Sequence, residues 1–166
     1  LCAGSSTTLT ASGGVSYTWT PSAGLSSSTG SVVTATPSVS TVYTVTGTDN
    51  NGCTSLLSNQ GTYTVDIIPS PTISVTDNAS ASSGTICSGN STTLTANGGV
   101  SYTWTPSTGL SATTGSMVVA SPTANITYTV IGESATGCVN QGADQGIFDL
   151  TVVSVAGVTV SSNSPV

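Results

Sequence analysis

The chain has 166 residues, six of them acidic and none of them Lys, Arg or His, for a net charge of −6. Without a side-chain cation it cannot neutralise phosphates, which excludes nucleic acid as a partner and argues against an anionic membrane surface. No apolar run approaches the roughly 18 residues of a membrane span, so no membrane insertion is expected, and no leader segment opens the sequence, as expected of a mature segment or a piece of a longer chain.

Apolar residues make up 36% of the chain, too many for a disordered composition. Much of the remainder is Thr and Ser, so the polar faces are built from hydroxyls rather than charges. Thr is β-branched and favours strands, and trypsin-like proteases have no site in such a chain, which suits an exposed extracellular protein.

In chain order the pattern has period two, the signature of strands. Thr7, Leu9 and Ala11 share a face. Tyr17 and Trp19 share another, with Thr18 and Thr20 opposite. Val33 with Ala35, Tyr43 with Val45, and Tyr63 with Val65 and Ile67 follow, and Ile73 with Val75 makes one more short strand. Gly13-Gly14, Pro21 to Gly24, Pro37-Ser38 and Asn50-Asn51-Gly52 supply turns between them. No segment carries a helical period of useful length.

The stretch from Gly14 to Ser22, GVSYTWTPS, recurs letter for letter from Gly99 to Ser107, an interval of 85 residues. The interval holds along the chain. Cys2 aligns with Cys87, Cys53 with Cys138, Gln60-Gly61 with Gln145-Gly146, and Ile73 and Val75 with Val158 and Val160. A period this long marks whole domains in tandem rather than the coils of a solenoid. Six or seven short strands per unit read as all-β: tandem Greek-key, immunoglobulin-like β-sandwiches, with the Trp on the third strand pointing inward and Tyr43 and Tyr128 where a tyrosine corner falls. The expected boundaries are 1–69, a unit lacking its first strand; 70–154, a complete unit; and 155–166, a spare first strand. That spare strand either begins the next unit of a longer array or completes the sheet of a neighbouring subunit as a donor strand.

The segments Ile86-Cys87-Ser88-Gly89, Ser91-Thr92-Thr93-Leu94-Thr95-Ala96, Tyr102-Thr103-Trp104, Tyr128-Thr129-Val130 and Gly137-Cys138 resemble the immunoglobulin-like and PKD-like repeats of Bacteroidota surface proteins, among them gliding-motility adhesins and other substrates of type IX secretion. The resemblance covers nearly the whole chain. It implies secretion, surface exposure and a chain of many repeats in which such units mostly act as spacers.

Candidate chemistry is sparse. Cys2 and Cys53, like Cys87 and Cys138, are 51 residues apart. With no His, a zinc site would need all four thiolates together, which two separate domains oppose. Disulfides of an oxidising compartment are expected instead, with the connectivity open. Bonds within each unit are the simple choice. Yet Cys2 precedes the second strand and Cys53 follows the sixth, at opposite ends of an alternating sandwich, which would favour Cys2 with Cys138 between units.

Tyr17, Trp19, Tyr43, Tyr102, Trp104 and Tyr128 are assigned to the cores; a sugar-stacking platform on the two Trp is the rival, and the face shared with Tyr17 favours burial. Asp49-Asn50-Asn51-Gly52 resembles part of a calcium loop, but the second copy does not keep its ligands, so an Asx turn is expected. Asp77-Asn78 is a second, weaker candidate for calcium. No His or Lys is present to activate a nucleophile, so no enzyme is expected and no cofactor. Asn78, Asn90 and Asn125 head sequons permissive for N-glycosylation. The expected function is a structural spacer or stalk in an extracellular bacterial adhesin or surface filament, with neighbouring repeats of the same or identical chains as partners. The alternative is a module binding surface glycans. Ice binding by Thr arrays ranks below both, because turns interrupt them.

Overall fold

A computed structural model describes residues 1–79, 84–140, 142–154 and 157. Thr- and Val-rich stretches separated by Gly, Pro and Asn turns form twelve strands among these residues. They are β1 (Thr7–Thr10), β2 (Ser16–Thr20), β3 (Val32–Ala35), β4 (Thr41–Thr48), β5 (Gly61–Val65), β6 (Ser74–Asp77), β7 (Thr85–Cys87), β8 (Thr92–Asn97), β9 (Ser101–Thr105), β10 (Met117–Ala120), β11 (Ile126–Glu133) and β12 (Gly146–Val153). The helical elements described are two three-residue 3-10 turns, Leu57–Asn59 and Gly142–Asp144.

The chain divides into two units, Leu1–Ser70 and Pro71–Val166. In the second, one sheet has the order β10-β8-β6 and the other β7-β12-β11-β9. β7 runs parallel to β12, and the other pairings are antiparallel. Successive strands cross between the two sheets, from β8 to β9 and from β10 to β11, which is the immunoglobulin-like Greek-key sandwich. Alternation sends one face of each strand inward: Leu94, Trp104, Val118, Tyr128 and Leu150 meet Ile73 of the segment leading into β6 in one core.

The first unit repeats this plan with β1 paired to β3, and β2-β4-β5 as the second sheet. Its core gathers Leu9, Trp19, Val33, Ala35, Tyr43 and Val65. Cys2 bridges Ile68 in parallel, as Cys87 pairs with Val153 in the second unit. The segment 155–166, expected to carry a spare first strand, lies outside the described residues apart from Gly157.

The cysteines depart from the within-unit expectation. Cys53 and Cys87 are exposed free thiols, whereas Cys2 and Cys138 are disulfide-bonded. Neither Cys2–Cys53 nor Cys87–Cys138 is therefore formed. The reason is length. Cys2 sits beside Ile68, past the end of β5 that faces Thr41, while Cys53 follows the other end of the eight-residue β4. Eight strand residues span about 25 Å, and a disulfide needs Cα atoms within about 7 Å. The same separation along β11 keeps Cys87 from Cys138.

Candidate functional site: an open groove in the first unit

The Tyr-Thr-Trp strand anchors each unit. Trp19 is 4% exposed and donates its indole N–H to the Gly30 carbonyl at 2.9 Å. Trp104 is 1% exposed and donates to Gly115 at 2.8 Å. These indoles lie inside the sandwiches, with no free face for a sugar. Tyr17 folds its hydroxyl back onto Gly14, accepting from the amide at 2.6 Å and donating to the carbonyl at 2.7 Å, and Tyr102 does the same with Gly99. Tyr43 donates to the Ala23 carbonyl and Tyr128 to that of Thr108, twenty residues upstream in both cases. Both side chains are fully buried. Burial pushes the Tyr128 hydroxyl up from its ordinary value of 10.0, because a buried phenolate loses its hydration.

The Asp49 loop is a turn. Asp49 Oδ1 accepts from the amides of Asn51 and Cys53, each at 2.8 Å. Its counterpart Ser134 uses its hydroxyl to accept from the Cys138 amide. Asp77 Oδ2 accepts from the Gly84 amide at 2.9 Å. Among the described residues no three His, Cys, Asp or Glu side chains come together to hold a metal. Asn78, Asn90 and Asn125 are all exposed. Asn78 Oδ1 accepts from the Thr92 hydroxyl and the Thr93 amide, and Asn125 Oδ1 from the Val152 amide. Ser80, the third residue of the first sequon, lies outside the described residues.

The two units differ in one place. In the second, the segment leading into and forming β6 closes the side of the sandwich. Ile73 donates its amide to the Asp144 carbonyl and lies over the glycines of three strands and turns. A Cβ added at Gly132 would meet Ile73 Cγ1 at 2.8 Å. One added at Gly146 would meet Ile73 Cγ2 at 2.9 Å and Val75 Cγ2 at 3.0 Å, and one at Gly98 would strike the Thr72 carbonyl. Glycine is therefore required there by close approach.

In the first unit no inserted segment covers the counterparts of these glycines among the described residues. An added Cβ would meet nothing within 4 Å at Gly13, the Tyr17 ring at 3.5 Å at Gly47, and Val45 Cγ1 at 2.9 Å at Gly61. Around them opens a cavity of about 640 Å³, lined also by Ala11, Asn59 and the Cys53 loop. Tyr63, expected inward, is 58% exposed, where its counterpart Phe148 is 9% exposed. Val45 and Ala11 are half-buried, where Val130 and Ala96 are buried. The outer edge of β1 is likewise unpaired among the described residues, where β8 has β6. The sequence carried a signal for this site in the strand-interior glycines Gly47 and Gly61, which mark either a bulge or a close approach.

No protein-family model matches the chain, and no curated protein matches it. Solved structures do. A C-terminal 282-residue fragment of intimin, in complex with the intimin-binding domain of the translocated intimin receptor, is similar at a TM-score of 0.45 and 17% identity. That match covers 88% of this chain and 56% of the fragment, so the chain spans little more than half of it. The D00-D0 domain of intimin matches at a TM-score of 0.34 and 15% identity, covering 89% and 93%. SGBP-B of a Bacteroides ovatus mixed-linkage glucan utilization locus, in complex with a mixed-linkage heptasaccharide, matches at 0.26 and 12%, covering 93% and 44%. The immunoglobulin-like assignment rests on this chain's own strand order.

Proposed function

We propose that the chain is a structural module of an extracellular surface protein, a stretch of stalk or filament in an adhesin. The observation that carries this reading is the succession of the units. The chain leaving β5 of the first unit enters β6, which is built into the second unit's sandwich by pairing with β8 and by burial of Ile73. The second unit thus starts directly where the first ends, and both repeat one 85-residue plan, as modules strung along a stalk do. The hydroxyl-rich, nearly uncharged faces and the disulfide-bonded Cys2 and Cys138 fit an oxidising, extracellular setting.

Two measurements test it. Antibodies raised against the chain should label intact producing cells. The full chain applied to a glycan array should show no saturable binding; specific binding at micromolar concentration would replace the structural role with a glycan-binding one, with the first unit's cavity as the place to look.

A further inference from the structure

We propose that Asn51 is a site of spontaneous deamidation through the main-chain amide of Gly52, and that Asp49 sets its rate. Asn-Gly is the pair at which this reaction meets least hindrance, because the residue supplying the attacking nitrogen has no side chain. The chain has two such pairs, Asn51-Gly52 in the first unit and Asn97-Gly98 in the second. Both asparagines are exposed, so it is backbone freedom that separates them.

Ring closure brings the nitrogen of the following residue onto the side-chain carbon Cγ, and the peptide between the two residues must rotate for this. Asn51 sits in the turn after β4, and a Cβ added at Gly52 would meet nothing within 4 Å. The peptide there has room to turn. Asn97 is the last residue of β8, opposite Ser74 of β6, and a Cβ added at Gly98 would strike the Thr72 carbonyl. Rotation at that place breaks strand pairing, so it waits on local opening. Asn50 shares the first turn, but the residue after it, Asn51, carries a side chain that obstructs attack.

What holds Asn51 is Asp49. Its Oδ1 accepts from the amides of Asn51 and Cys53 at 2.8 Å each, and its carbonyl accepts from the Gly52 amide at 3.1 Å. Three successive amides are tied to one residue, and the attacking one has the longest bond. In the second unit Ser134 stands at the place of Asp49 and Thr136 at that of Asn51, so that turn has no amide side chain to lose.

The reaction takes up water and releases ammonia. The Gly52 amide gives its proton to hydroxide and its nitrogen bonds to Asn51 Cγ. The bond from Cγ to the side-chain nitrogen breaks, and that nitrogen leaves as ammonia with a proton from water. Water then opens the cyclic imide. Cleavage at Cγ leaves aspartate; cleavage at the main-chain carbonyl carbon leaves isoaspartate, with the main chain rerouted through the side chain. Nothing is oxidised or reduced. Either product adds a negative charge beside Asp49 in a chain that carries −6, and the two carboxylates repel. The first unit's turn thus gains charge with age while the second unit's turn does not.

The experiment incubates the folded 166-residue chain in mildly alkaline buffer and follows ammonia release and chymotryptic peptide maps, with aspartate and isoaspartate assigned by electron-transfer fragmentation. The same chain in guanidinium chloride gives the rates without a fold. Unfolded, Asn51 and Asn97 should convert at similar rates. Folded, Asn51 should convert at least about tenfold faster than Asn97, whose reaction requires β8 to open. Asn51→Gln should remove the early release of ammonia. Asp49→Ala, shown by its thermal transition to be folded, should convert at Asn51 several times faster than the unsubstituted chain, because the side-chain bonds that fix the turn are gone. Folded Asn97 keeping pace with Asn51, or Asn51 intact while the unfolded chain converts, overturns the proposal. So does early ammonia release that survives in Asn51→Gln, or the same preference for Asn51 in the unfolded chain. An equal or slower rate in folded Asp49→Ala overturns the role given to Asp49.

Discussion

Each sandwich turns on a few side chains whose polar atoms are satisfied where they are buried. Trp104 fills the second core and still donates to Gly115, so Trp104→Ala removes both packing and a hydrogen bond. It should lower that unit's stability by about 3–5 kcal/mol in urea unfolding. Tyr128 makes a subtler prediction. Burial favours its neutral phenol, so the folded chain holds this proton to higher pH than the unfolded chain does. Its contribution is fully present below pH 10 and is lost as the pH rises through the higher folded value. The melting temperature of the second unit should fall above pH 10, and Tyr128→Phe should flatten that fall at a cost of about 1 kcal/mol for the bond to Thr108. Iodoacetamide on the native, unreduced chain should label Cys53 and Cys87 and spare Cys2 and Cys138. The oxidation states were not legible from spacing, because two identical intervals of 51 residues fit several connectivities. What decides against the within-unit pairs is the length of β4 and β11, which a spacing does not contain.

At the scale of elements, the all-β sandwich was legible because Thr, Val and Tyr alternate without a competing helical period. The parity of Leu9, Trp19 and Val33 points them to one interior. Parity failed at Tyr63, whose inward-reading position faces solvent. Alternation reports which face of a strand points toward the core but not whether another strand covers it. The glycines hold that information. Gly47 and Gly132 occupy equivalent places in β4 and β11, yet a side chain at Gly132 would run into Ile73. Gly132→Val should destabilise the second unit by about 1–3 kcal/mol through overpacking, whereas Gly47→Val in the first should stay within about 0.5 kcal/mol. Paired melting curves check the contrast, and equal losses at both glycines would show that the first unit is closed too. Ile73→Ala tests the same plug from the other side and should cost the second unit about 2–5 kcal/mol.

Over the whole molecule, the absence of Lys and Arg makes the chain's resistance to trypsin independent of its fold. Trypsin should leave it intact even when unfolded in urea, while chymotrypsin should degrade the unfolded form faster, because Trp19, Tyr43, Trp104 and Tyr128 are buried in the folded one. Gel electrophoresis after each digestion distinguishes the two. A different consequence belongs to β1. Among the described residues the outer edge of β1 lacks the partner that β8 has in β6, so amide hydrogens along that edge exchange with solvent sooner than those of β8, and exchange rates tell apart two units of nearly the same sequence.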